Sequence, residues 1–202
     1  ADSGSVFVNA GDDFTLAAAA RIEARDDVEI RTDAGDADPG SGDDLSVFGA
    51  IRAGALAGPG DVLLATGSAA DLVLVAAGAN VAASRDVRLE TGSGEDSVLH
   101  QGVVTAGDDV VVELGAGDDA YDMTGVLIAS DRFEARGQGA DDRLTFADST
   151  MRAGESLIAG GDGDDRIELD EMLEIGGRTT LAGDGGDDEF FIDRLPTQGP
   201  GD

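Results

Sequence analysis

Residues 160–168 read GGDGDDRIE, and this stretch fixes the period of the chain. The acid pair at its centre recurs every 23 residues, and a large apolar residue follows each pair two positions later. The pairs in this register are Glu95–Asp96, Asp118–Asp119, Asp141–Asp142, Asp164–Asp165 and Asp187–Asp188. A fixed period of this length is typical of a solenoid, in which each repeat buries its apolar face only against its neighbours.

The same repeat extends upstream with insertions. We place its corner acids at Asp13, at Asp44 or Asp43, at Asp71 and at Asp96, with spacings of 31, 27 and 25 counted through Asp44. The extra residues fall in 33–44 and 54–61, which are rich in Gly, Pro and Asp and predict surface loops. The sequence therefore predicts one solenoid over residues 1–194, with irregular coils over 1–96 and regular coils over 97–189. Residues 195–202 are predicted to form a linker or strap.

Each coil contains three short runs of alternating apolar residues. In residues 143–165, Leu144 and Phe146 alternate on a first run, Met151 lies on a second and Ile158 on a third. Alternation with period two places these side chains on the inward face of β-strands, and no segment has a sustained helical period. We therefore predict an all-β fold, a right-handed parallel β-helix of about eight coils with three strands per coil.

Composition limits the classes of partner. The chain has 43 acidic and 13 basic residues, and its net charge of −30 argues against nucleic acid or anionic lipid and favours cations. Every basic residue is Arg, and no Cys is present to form a disulfide. No segment approaches the roughly 20 apolar residues of a membrane helix, so we expect no membrane insertion. The acidic, polar start at Ala1 is expected of a mature form or an excised fragment.

Stacked coils bring the acids of neighbouring repeats close together. Coils of a parallel β-helix lie about 4.8 Å apart, so each acid repels the next by about 0.9 kcal/mol in water. Solvation of the acids is one way to tolerate this repulsion, and a bound metal ion is the other. A chain without Lys or disulfides favours the metal.

The central stretch matches the RTX nonapeptide GGxGxDxUx at every fixed position. Residues 115–122 and 183–191 are looser copies, and 138–142 is the weakest copy because Ala140 replaces a glycine. The chain thus resembles RTX, or haemolysin-type, calcium-binding repeat proteins, in particular giant secreted bacterial surface proteins with repetitive β-helix regions. The resemblance covers the second half of the chain well and the first half loosely. It implies Ca²⁺ held between successive turns by Asp carboxylates and backbone carbonyls, and a secreted, extracellular or cell-surface location.

One departure limits what is carried over from that group. RTX nonapeptides usually run in tandem, whereas here each nonapeptide alternates with 14 other residues, so we expect one main calcium edge. Ca²⁺ prefers about six to eight oxygen ligands, which acids and carbonyls at a turn can supply. The predicted metal ligands are Asp43, Asp44, Glu95, Asp96, Asp118, Asp119, Asp141, Asp142, Asp162, Asp164, Asp165, Asp184, Asp187 and Asp188.

A second acidic column precedes the third strand of successive coils, and Arg178 takes its slot in a later coil. It is either a second set of cation sites or a row of turn acids at solvated strand starts. We assign to it Asp27, Asp61, Asp86, Asp109, Asp131 and Glu155.

The residues favour a structural role over catalysis. The single histidine, His100, falls at an inward strand position, and no Ser-His-Asp set, zinc spacing or phosphate loop is present, so we predict no enzyme. We predict a calcium-stabilised extracellular structural protein, a subunit or module of a cell-surface fibre, adhesin or biofilm matrix. Its expected partners are a second copy stacked head to tail or adjoining coils of a longer chain, and extracellular polysaccharide. The alternative is a polysaccharide-acting β-helix enzyme or its non-catalytic carbohydrate-binding module.

Overall fold

A computed structural model of the chain describes residues 4–33, 41–54 and 58–194. These residues form 23 strands in three parallel sheets and contain no helix, hence none that could span a membrane. Each coil contributes one strand to each sheet, except that the last described coil contributes to only two of them, and successive coils pair in parallel. The predicted all-β solenoid of about eight coils is confirmed.

The strands follow the chain in the order sheet A, sheet B, sheet C. Sheet A consists of β1 (Val6–Asn9), β4 (Val28–Arg31), β7 (Val62–Ala65), β10 (Val87–Ser93), β13 (Val110–Ala116), β16 (Arg132–Gly139), β19 (Glu155–Asp162) and β22 (Arg178–Gly185). Sheet B consists of β2 (Phe14–Leu16), β5 (Asp44–Val47), β8 (Leu72–Val75), β11 (Ser97–His100), β14 (Ala120–Met123), β17 (Arg143–Ala147), β20 (Arg166–Asp170) and β23 (Glu189–Asp193). Sheet C consists of β3 (Arg21–Glu23), β6 (Ala50–Ala53), β9 (Asn80–Ala83), β12 (Val103–Ala106), β15 (Val126–Ala129), β18 (Thr150–Arg152) and β21 (Glu174–Ile175).

The core lies between the three sheets and consists of the alternate residues of each strand. Leu144 and Phe146, assigned inward by their alternation, are fully buried. Phe146 packs edge-on against Tyr121 of the preceding coil, with ring centroids 5.4 Å apart. His100 is buried in the same column, as its strand position predicts, and its Nδ1 lies 3.1 Å from the Tyr121 hydroxyl. Residues at equivalent positions of successive repeats therefore stack on one another, so the period of the sequence sets the register of the sheets.

Pairing in sheet B corrects the corner assignment in the irregular half. Leu45 pairs with Val73, so Asp43 and not Asp44 is in register with Asp71, and the spacing between these acids is 28 residues. Asp44 is the first residue of β5, pairs with Leu72 and is in register with Asp13, so the corner acid of the first coil is Asp12 and not the predicted Asp13. Insertions of different lengths precede these coils. The corner acid is therefore identified by its distance from the strand that follows it, not by its distance from the acid of the previous coil.

Some predicted segments lie outside the described residues. They are residues 34–40 of the first predicted loop, residues 55–57 of the second, and the predicted linker or strap at 195–202. The remaining loop residues join β4 to β5 and β6 to β7. Both insertions thus enter between strands, and the three sheets continue through them.

Candidate metal site at the aspartate corner

The second acid of each pair points into the solenoid. Asp142 lies two residues before the buried Leu144, and the same holds for Asp119 before Tyr121. Residues two apart in an extended chain share a face, so the carboxylate follows its apolar neighbour inward. We call the set Asp43, Asp71, Asp96, Asp119, Asp142, Asp165 and Asp188 the inner column. From Asp43 to Asp165 its members are at most 4% exposed.

The inner column is a continuous ladder of hydrogen bonds from coil to coil. The N–H of Asp96 donates to Oδ1 of Asp119 at 2.8 Å, and the N–H of Asp119 donates to Oδ1 of Asp142 at 2.9 Å. Asp142 donates in turn to Asp165 at 2.8 Å, and the same bond joins every pair from Asp43 to Asp188. Each carboxylate thus satisfies a buried backbone donor of the preceding coil.

The second oxygen of these carboxylates lies in a closed space. Within the described residues, Oδ2 of Asp96, Asp119, Asp142 and Asp165 is buried and has no hydrogen-bond partner. A Cβ on Gly160 would stand 1.9 Å from Oδ2 of Asp165, and one on Gly137 would stand 1.9 Å from Oδ2 of Asp142. The glycine at the end of each of these sheet A strands therefore provides the space that the inward carboxylate occupies.

Burial controls the protonation of the inner column. It raises the pKa of Asp142 to about 7 and that of Asp119 to about 6, while the backbone hydrogen bond that each accepts lowers the pKa. The charges of adjacent ladder carboxylates raise both pKa values further. Burial also raises the pKa of Asp96 and of Asp165. Asp142 therefore still holds a proton for part of the time near neutral pH, where an ordinary aspartate is ionised.

The first acid of each pair lies on the outside of the corner. We call Asp118, Asp141, Asp164 and Asp187 the outer column; all four are exposed. Their ladder runs the opposite way, because the N–H of Asp141 donates to Oδ1 of Asp118 at 3.1 Å, and that of Asp164 donates to Oδ1 of Asp141 at 2.8 Å. Asp187 donates to Asp164 at 2.8 Å. No Arg within the described residues forms an ion pair with these four carboxylates.

The turn between the columns requires left-handed backbone. Gly117 has φ +137, and a Cβ there would stand 1.5 Å from the carbonyl oxygen of Gly94 in the preceding coil. The weak copy of the motif keeps this conformation without glycine, with φ +92 at Gln138 and +82 at Ala140. The carbonyls of this turn are used in coil-to-coil bonds, such as that from the N–H of Gly163 to the carbonyl of Gly185 at 2.6 Å.

The other predicted ligands occupy separate positions. Glu95 precedes Asp96 at the corner and is exposed, as the outer column is. Asp162 pairs with Gly185 and Asp184 pairs with Gly161, so these two acids stand in different columns. Asp44 stands at the start of its strand, away from both columns.

The second acidic column has a different chemistry. Asp61, Asp86 and Asp109 each accept a backbone N–H from the following coil through Oδ1, at 3.0–3.2 Å. The guanidinium of Arg85 binds Asp61, and Arg132 lies 3.6 Å from Asp109. Arg132, not Asp131, takes the slot after Asp109, because Val110 pairs with Phe133. The aspartates of this column accept backbone N–H groups at the turns. Towards its C-terminal end the column alternates in charge, because Arg132 is the strand partner of Glu155 and Glu155 is that of Arg178.

Asp71 is a corner residue missing from the predicted ligands. Its Oδ1 accepts from Asp43 at 2.7 Å and its Oδ2 accepts the N–H of Gly67 at 3.1 Å. Its distance of 25 residues from Asp96 was the available signal. The separation into inner and outer columns could also have been predicted from the sequence. In an extended chain, the second acid of each pair lies on the same face as the apolar residue two positions later, whereas the first acid lies on the opposite face.

The carboxylates at this corner are arranged in rows along the solenoid. Among residues 4–33, 41–54 and 58–194, no three acidic or histidine side chains converge on one point as in a preformed metal centre. An ion at this corner would therefore take ligands from neighbouring coils of the outer column and complete its shell with water. Comparison with known protein families, curated proteins and solved structures finds no match to this chain.

Proposed function

We propose that the chain is a calcium-stabilised structural β-solenoid of the cell exterior, a rod-like module or subunit of a surface fibre or adhesin. The observation that carries the proposal is the contrast between its two acidic columns. The column that includes Asp61 and Asp109 has Arg partners, whereas the outer column has none within the described residues. A row of exposed like charges without basic partners is the feature that a bound cation explains.

Electrostatics supports a cation at the outer column. Carboxylates about 4.8 Å apart repel by about 0.9 kcal/mol per adjacent pair in water, and the backbone hydrogen bonds hold them in line. The ladder uses Oδ1 of Asp118, Asp141 and Asp164, which leaves Oδ2 of each of these carboxylates for an ion. Asp118, Asp141, Asp164 and Asp187 are the residues that would hold it.

The ligand chemistry favours calcium over magnesium. Ca²⁺ accepts an irregular shell of oxygen ligands, whereas Mg²⁺ demands a near-ideal octahedron. A site with few protein ligands binds weakly, with a Kd of about 10⁻⁴ to 10⁻³ M, the range of extracellular modules. Weak sites fill only where calcium is millimolar, so the chemistry agrees with the extracellular location that the RTX-like motif implies.

Calorimetric titration with CaCl₂ tests this proposal. After removal of divalent ions, the chain is expected to bind calcium with a Kd of about 10⁻⁴ to 10⁻³ M. The variant with Asp118, Asp141, Asp164 and Asp187 all changed to Asn should lose most of this binding. Asn keeps the Oδ1 acceptor, so the backbone ladder is retained.

The matched control changes the second column in the same way. Asp27, Asp61, Asp86 and Asp109 each become Asn, which removes the same number of charges from the same fold. Calcium binding should persist in this control with little change in Kd. Equal loss in both variants, or no binding by the unaltered chain, would contradict the assignment to the outer column.

A further inference from the structure

The last described coil leaves core positions uncovered. Phe190 and Ile192 of β23 are 44% and 54% exposed, whereas Ile167 and Leu169, with which they pair, are 1% and 2% exposed. The same two positions are buried in every earlier coil from β5 onwards. A further coil laid on β23 is what buries them elsewhere in the molecule, so the exposed pair marks an unfinished coil-to-coil contact.

The first described coil presents the matching end. β1, β2 and β3 are the terminal strands of the same three sheets that end in β22, β23 and β21. Their inward residues Val6, Val8, Phe14 and Ile22 are only partly buried. Parallel strands bond their neighbours on both sides in the same pattern, so the free groups of one end complement those of the other.

We propose that the last coil of one copy docks on the first coil of a second copy and continues sheets A and B, with β1 beside β22 and β2 beside β23. This inference rests on the proposed function of a calcium-stabilised rod. Continuing the columns sets Phe190 on Phe14 and Ile192 on Leu16 of the second copy. The contact joins two different surfaces of the same molecule, so it is open and produces filaments.

Charges at the junction define its conditions. Sheet C ends one coil before sheets A and B, so Glu174 of β21 and Arg21 of the second copy's β3 do not lie on adjacent strands. At the acid corner, Asp187 meets an end that carries Asp12 and Asp13. Like charges meet there as they do between coils of one chain, so docking is expected with calcium and not in its absence.

The first coil of a second copy supplies a strand for each exposed sheet end of the last described coil. β1 would pair with β22, and β2 would pair with β23.

Disulfide trapping tests the register directly, because the chain contains no cysteine. Thr15 and Phe191 are exposed outward residues of the same sheet B column, so Thr15→Cys with Phe191→Cys should place the two sulfurs on paired strands. Paired strands are about 4.8 Å apart, within the Cα range of a disulfide. In millimolar calcium under mild oxidation, we expect covalent multimers in which the linked peptides join position 15 of one copy to position 191 of another.

The matched control pairs Phe191→Cys with Phe7→Cys, which is 64% exposed but belongs to sheet A. It should give no cross-linked ladder. Sedimentation velocity of Ile192→Asp provides a second readout, with association weakened about tenfold or more by loss of an apolar anchor. Phe48→Asp, at a 40% exposed position of the second coil, should associate like the unaltered chain.

The outcomes separate this inference from the proposed function. A disulfide between positions 15 and 191, with association lost only in Ile192→Asp, supports end-to-end docking. A chain that binds calcium yet stays monomeric overturns the docking alone. A chain that neither binds calcium nor associates overturns both proposals, and an equal yield from the control cysteine pair overturns the register.

Discussion

Asp142 combines two roles that oppose each other. Its Oδ1 accepts the N–H of Asp119, and its own N–H donates to Asp165, so it belongs to the bonding of three coils. Its Oδ2 is buried without a partner, so ionisation places charge where no water reaches. The hydrogen bond holds the fold together, while the charge works against it.

Substituting Asp142 separates these roles. Asp142→Asn keeps the Oδ1 acceptor and removes the charge, so at pH 8 in calcium-free buffer we expect a gain of about 1 kcal/mol in unfolding free energy. Asp142→Ala leaves the Asp119 N–H buried and unpaired, and at pH 5 it should cost about 1–3 kcal/mol. Urea unfolding followed by circular dichroism measures both.

The exposed neighbour serves as the control. Asp141→Asn removes an equal charge from the outer column and should change the unfolding free energy by less than about 0.5 kcal/mol in the same buffer. Asp142→Asn should not destabilise the chain at pH 8 as much as Asp142→Ala does. Equal destabilisation would mean that the ionised carboxylate of Asp142 stabilises the fold, which contradicts the prediction.

The raised pKa values predict an unusual pH dependence. Folding raises the pKa of Asp142 to about 7 and of Asp119 to about 6, above the roughly 3.9 of an unfolded Asp. Between pH 4 and 7 the folded state therefore binds more protons, and stability falls as pH rises through this window. Burial lowers the pKa of His100 to about 4, which acts the opposite way, but four inner carboxyls outnumber it.

Urea midpoints measured from pH 4 to 8 in calcium-free buffer test this dependence. We expect the highest midpoint at the acidic end, a decline towards pH 7 and little change above. Asp142→Asn should flatten the part of the curve between pH 6 and 8. A midpoint that rises steadily from pH 4 to 7 would show that the inner column is ionised throughout.

At the scale of the elements, the turn between sheets A and B repeats a left-handed backbone in every regular coil. Gly117 and Gly163 adopt φ +137, which glycine tolerates, whereas Ala140 holds φ +82 at the same corner. A left-handed non-glycine residue costs about 1–2 kcal/mol. The coil that departs from the motif in sequence thus carries strain in its turn, and the last described coil has a further left-handed non-glycine residue, Asp184 with φ +72.

Replacing this alanine should relieve the strain. Ala140→Gly is expected to raise the unfolding free energy by about 0.5–1 kcal/mol, because the relief exceeds the entropy that glycine adds to the unfolded chain. Ala120→Gly, in the extended backbone of β14, should lower it by about 0.5–1 kcal/mol. Urea unfolding of the two variants under one condition gives the comparison, and equal losses would contradict the strain at Ala140.

The strands and the regular register could be predicted because one period sets both. Alternation of Leu144 and Phe146 gives the inward face, and the repeat of 23 gives the partner of each residue. The register of the irregular half was harder to predict from sequence, because insertions change the spacing between equivalent residues. Only the pairing of Leu45 with Val73 selects Asp43 over Asp44 as the corner acid. The space for the carboxylates of Asp142 and Asp165 depends on Gly137 and Gly160, which appeared in sequence only as members of the repeat.

At the scale of the whole molecule, one interface is repeated along the rod. Each coil contacts the next through three parallel sheets and one acid corner, so stability accumulates from coil to coil as in other repeat proteins. The acid corner sets the same repulsion against every one of these contacts. We propose that a cation at the outer column acts on the coils from Asp118 to Asp187 together, so that their unfolding would respond to calcium.

We propose that calcium stabilises this rod through its outer column. The most direct measurement is urea unfolding, followed by circular dichroism, in calcium-free buffer and then at increasing calcium, with NaCl matching the ionic strength. Each site should add about 1.4 kcal/mol to the unfolding free energy at ten times its Kd, with the gain abolished when the four outer aspartates are asparagine. Identical midpoints with and without calcium would contradict the claim.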